Sequence, residues 1–70
     1  MSRDGRKEGV MTKYVVALTA ETGWEAYLTT QEYEVEAQNA EAAEVAARQQ
    51  ARERYAYEHA NNGTAQVREV

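Results

Sequence analysis

Residues 29–37, TTQEYEVEA, restrict the fold more than any other stretch of the chain. Their strict alternation puts Gln31, Tyr33, Val35 and Ala37 on one side of an extended segment and Glu32, Glu34 and Glu36 on the other. A strand of this kind needs a core against one face only. Side chains on a common face recur about every 6.7 Å, so the three carboxylates form a rail along the solvent side.

The flanking segments complete a small α+β pattern. Residues 13–20, KYVVALTA, read as a strand with Tyr14, Val16 and Leu18 on one face. Val15 and Ala17 on the other face are also apolar, as expected of a central strand partly covered on both sides. Thr22 and Gly23 signal a turn. After the second strand, Asn39 is a suitable N-cap, with Glu41 in the first turn where the helix dipole favours an acid. Strong helix formers continue to about His59, and Asn61, Asn62 and Gly63 end the helix. Ala40, Ala43, Ala46, Ala47, Ala51 and Tyr55 trace one apolar stripe. Residues 64–70 alternate as a third strand with Ala65 and Val67 inward. The expected architecture is ββαβ: a three-stranded antiparallel sheet with one helix packed on one face.

Domain organisation follows from the same pass. Residues 1–11 are expected to be a disordered tail and 12–70 a single domain. Lys7, Glu8 and Gly9 can be encoded by a purine-rich run resembling a bacterial ribosome-binding site just ahead of Met11, so translation is expected to start naturally at Met11. Burial must stabilise the domain, because the 70 residues include no cysteine and so no disulfide or thiolate zinc site. The first ten residues have no apolar core of a signal peptide, and the longest apolar run is 15–18. Secretion and membrane spanning are not expected, and the cytoplasm is the expected compartment.

Charge is unevenly distributed. The net formal charge is −4, and between Glu21 and Glu44 there are seven acids and no base. Such a field opposes direct nucleic-acid binding and favours a basic partner. Glu21 and Glu25 in the connection between the first two strands, the rail, and Glu41 and Glu44 in the helix are expected to lie side by side. Trp24 and Tyr27 flank them either as aromatic anchors or as cover for the edge of the core. Val45 projects away from the alanine stripe and is a candidate dimer contact.

Enzymatic chemistry finds little support. The single histidine, His59, falls near the helix C-terminus, where the dipole favours its cationic form, and the rail carboxylates project from an exposed strand where nothing tunes them as acid and base. Carboxylates on a straight strand do not converge on a metal ion. No catalytic residue, metal or cofactor is expected.

The motif YVVALTA…YEVEAQNAEAAEVAA, across 13–70, resembles small phage and mobile-element proteins in which a hairpin ending in a VEA strand passes through a cap residue into an alanine-rich helix. It is also similar to the small acidic anti-CRISPR proteins, and the likeness extends to a type I-C inhibitor. The resemblance implies a phage protein in the host bacterial cytoplasm that acts as an acidic DNA mimic, docking on the basic DNA-recognition surface of a CRISPR surveillance complex. The partner-binding residues would be Glu21, Trp24, Glu25, Tyr27, Glu32, Glu34, Glu36, Glu41 and Glu44, on a monomer or weak homodimer. The alternative is a structural or regulatory phage module that pairs through its sheet edge or through Val45.

Overall fold

A computed structural model of the protein describes residues 11–23 and 27–70. The tail expected over the first residues therefore lies outside the described residues, apart from Met11, as do Trp24 and Glu25. Three strands, β1 (Thr12–Thr22), β2 (Tyr27–Ala37) and β3 (Thr64–Glu69), form an antiparallel sheet in the order β2-β1-β3. Two helices, α1 (Ala40–Glu53) and α2 (Tyr57–Asn62), connect β2 to β3. The α+β class and the three-stranded antiparallel sheet are as the sequence implies, and a second, short helix, α2, follows the one expected after β2.

Register fixes which residues face the helices. Val16 pairs with Tyr33 on one side and Val67 on the other, and Leu18 pairs with Gln31 and Ala65. Val16, Leu18, Tyr33, Val35 and Ala37, with Ala65 and Val67 packed against them, meet Ala43, Ala47 and Ala51 of α1 and Ala60 of α2 in the core. Alanines on the helix let its axis approach the sheet closely, so the bulkier sheet residues fill the space between the layers. Val16 and Leu18 are fully buried, and Leu18→Ala would cost about 2–5 kcal/mol, a large share of the stability of so small a domain.

The apolar stripe is shorter than its periodicity suggests. Ala43, Ala47 and Ala51 are buried and Ala46 is partly so, whereas Ala40 and Tyr55 are exposed. Asn39 caps α1, its side-chain oxygen accepting from the Ala42 amide at 2.8 Å.

The helix does not continue to His59. It ends at Arg54, where Tyr55 takes a positive φ of 65°. The Tyr55 amide donates to the Arg52 carbonyl at 3.0 Å and the Ala56 amide to the Ala51 carbonyl at 2.8 Å. This is a Schellman ending with tyrosine where glycine is the usual residue. The reason for the break is geometric. β3 begins beside Thr19, and an unbroken helix from Ala40 to Asn62 would run roughly 34 Å at 1.5 Å per residue, past the start of that strand. The chain instead turns at Tyr55 and comes back over β1 as α2.

The helices of the described residues lie on one face of the sheet. The other carries Lys13, Val15, Ala17, Thr19 and Glu21 from β1, the acids of β2, and Thr64, Gln66 and Arg68 from β3, by the alternation and register of the strands. Val15 and Ala17 are 8% and 9% exposed even so. By register, Glu34 and Arg68 flank Val15, and Glu32 and Gln66 flank Ala17.

Candidate interaction surface

The acidic rail forms as the alternation requires. Glu32, Glu34 and Glu36 are all exposed, on the face of β2 opposite the described helices. Glu32 lies 3.7 Å from the Arg68 guanidinium across the sheet, with both side chains more than half exposed, so the pairing is weak. Glu34 and Glu36 have no hydrogen-bond or ion-pair partner among the described residues. Lys13 stands opposite Glu36 in the register and sets the positive limit of the rail at that end. Lys13, Glu34, Val35 and Glu36 border a shallow depression of about 290 Å³.

The other candidate residues are divided between different surfaces. Glu21 belongs to β1, not to a connection, and extends the face of the rail toward the hairpin tip. Glu41 lies two residues from the buried Ala43, so at 100° per residue it points away from the sheet, on the opposite side of the molecule from the rail. Glu44 is held by Arg48, whose Nε and Nη2 donate to its Oε2 at 3.0 and 2.8 Å. The expected continuous patch of strand and helix carboxylates is thus not formed: Glu41 and Glu44 belong to the helical layer, and Glu44 is neutralised there. Trp24 and Glu25 fall outside the described residues.

Arg48 has a second task. Its Nη1 donates to the main-chain oxygens of His59 and Ala60 at 3.4 and 3.3 Å, so one guanidinium ties the middle of α1 to α2. His59 itself is buried, 2% exposed. Its Nε2 is 3.0 Å from the Thr29 hydroxyl and 3.1 Å from the Thr29 carbonyl oxygen. Because a carbonyl only accepts, the bond to it places the proton on Nε2. The imidazole lies in the last turn of α2 as the sequence suggests, but its role there is to lock that helix to β2.

A second surface lies where α1 meets α2. Thr29 and Gln31 of β2 with Tyr55, Tyr57 and His59 line a cleft of about 400 Å³. Tyr55 and Tyr57 meet edge to face, 6.2 Å between ring centroids, and both are exposed. Of the lining residues, Gln31 accepts through Oε1 from the Tyr33 hydroxyl, and Arg54 covers the Tyr33 ring at 5.4 Å. Tyr27 and Leu28, near the hairpin tip, are exposed as well, as is Val45 on α1. The cleft was not foreseen, because it depends on the helix break at Tyr55, which no glycine marks.

Among the described residues no three acidic or imidazole side chains are grouped so as to hold a metal ion, and no helix is long and apolar enough to cross a membrane. Comparison with protein-family models, curated proteins and solved structures finds no match.

Proposed function

We propose that the protein is a non-enzymatic inhibitor that uses the sheet face carrying the acidic rail to occupy a Lys/Arg-lined surface of a nucleic-acid-binding host protein. A bacterial CRISPR surveillance complex of type I-C is the target proposed from the resemblance of the sequence to small acidic anti-CRISPR proteins, with the host cytoplasm as the site of action. The observation that carries the reading is the rail. Three exposed carboxylates stand in line on a rigid strand, two of them with no partner among the described residues. Their repeat of about 6.7 Å resembles the through-space separation of successive phosphates along one nucleic-acid strand. The separation of Glu41 and Glu44 from the rail confines the contact to one sheet face, with Glu21 extending it. The chain therefore imitates a short run of one strand in preference to a duplex, whose axial charge density is far higher.

The test is displacement of duplex DNA from the DNA-binding subunits of a type I-C complex, at low and high salt. Glu34→Lys with Glu36→Lys, in a protein whose circular dichroism is unchanged, should lower the affinity roughly 100-fold, and salt should weaken the unaltered protein steeply. Unchanged displacement by the folded double variant overturns the proposal. A second reading, a homodimeric phage module, draws support from the 65% exposure of Val45; a stable dimer in light scattering that Val45→Lys dissociates would favour it.

A further inference from the structure

The outer edge of β2 combines three features that suit one kind of occupant. The first is a row of open main-chain groups. The Val70 amide donates to the Lys13 carbonyl at 3.0 Å, so the main chain of Lys13 points toward β3. By alternation, Tyr14, Val16, Leu18 and Ala20 point toward β2 and bond Val35, Tyr33, Gln31 and Thr29. The amides and carbonyls of Leu28, Thr30, Glu32, Glu34 and Glu36 therefore point outward, along an edge that no described strand covers.

The second feature is that three of those five residues carry the acidic rail. In an added ladder, residues whose main chains bond each other also present their side chains on the same face. Each outward-bonding glutamate would thus stand beside one side chain of an incoming strand. The third feature is the cleft between β2 and the helix junction. Its sheet side is supplied by Thr29 and Gln31 of β2 with no β1 residue. It thus opens on the same flank, and on the opposite face from the rail. There Tyr55 and Tyr57 offer apolar surface to the alternate side chains of that strand.

We infer that β2 accepts an extended segment of a partner protein as a fourth strand, with lysine or arginine at alternate positions over Glu32, Glu34 and Glu36 and an apolar residue between them seated against Tyr55 and Tyr57. Main-chain bonds hold such a segment, and the two sets of side chains select it. The inference deepens the proposed function by specifying the form of the basic partner, and it rests on that reading for the role of the rail.

The probe is a capped ten-residue peptide of alternating lysine and valine, titrated into the full chain and followed by amide exchange in NMR. Binding should slow exchange of the Leu28, Thr30, Glu32, Glu34 and Glu36 amides at least about tenfold. Methylating two central lysine main-chain nitrogens, which removes two donors to the edge, should weaken binding at least about tenfold. A block peptide, five lysines followed by five valines, should bind at least about tenfold more weakly. No binding, or binding that leaves these amides unchanged and treats the three peptides alike, overturns the inference. The second of those results leaves the charge-based proposal standing. Conversely, slowed amides with an affinity indifferent to Glu34→Lys and Glu36→Lys would keep the added strand and remove the role of the rail.

Discussion

His59 holds Thr29 through both its hydroxyl and its carbonyl oxygen, at 3.0 and 3.1 Å, across 30 residues of sequence. This contact anchors α2 at the end of the sheet where the hairpin extends past β3. His59→Ala should destabilise the domain by about 2–4 kcal/mol, combining a cavity with the lost bonds. Thr29→Val, which removes the hydroxyl and keeps the carbonyl, should cost about 1 kcal/mol. Urea unfolding checks both values, and equal losses would contradict the two-point anchor.

Arg48 unites the helices by planar geometry as well as by charge. It bonds Glu44 through two nitrogens and two main-chain carbonyls through a third. Arg48→Ala should cost about 2 kcal/mol, and Arg48→Lys should recover less than half of that, because an ammonium cannot span the same acceptors. Thermal unfolding of the three proteins at matched pH and salt measures the difference.

Gly63 admits no side chain. A Cβ there would lie 2.5 Å from the His59 carbonyl oxygen, a main-chain atom that cannot swing aside. Gly63→Ala should therefore destabilise by about 1–3 kcal/mol, with loss of amide-exchange protection first in α2 and at the start of β3. Wild-type stability in this variant would contradict the close approach.

Tyr55 stands in the left-handed region at a position that suits glycine and is 79% exposed, so burial does not compensate its conformation. Tyr55→Gly should raise stability by about 0.5–1 kcal/mol, the relief of the left-handed cost less the added chain entropy. The same substitution should weaken the alternating lysine–valine peptide several-fold, because it removes one wall of the cleft. A less stable variant with unchanged peptide affinity would count against both statements.

The strands were legible because their information is local. The alternation of 29–37 by itself assigns Tyr33 inward and Glu34 outward, and the structure keeps both assignments. Asn39 was legible for the same reason, since a cap depends on the three residues after it. The break at Tyr55 was not. Arg54, Tyr55 and Ala56 carry no turn signal, and the helix stops there because β3 must start beside Thr19, a constraint set by residues far away in sequence. The aromatic cleft and the burial of His59 follow from that break. The division of the acidic residues was partly legible: helical periodicity turns Glu41 from the sheet and i, i+4 spacing brings Glu44 to Arg48, but the reach of Arg48 to α2 depends on the break.

The rail on β2 also bears on what two copies of this protein do to each other. An eleven-residue edge strand with open amides and carbonyls is a template for chain-to-chain stacking. Here, two such edges brought together would crowd carboxylates of both molecules onto one sheet face. Replacing Glu32, Glu34 and Glu36 with glutamine would leave the shape intact and lift that repulsion, and sedimentation should then show oligomers growing with concentration. Oligomers growing in that variant and not in the unaltered protein would show that the negative charges guard against self-polymerisation at the edge where the backbone is most open to another chain.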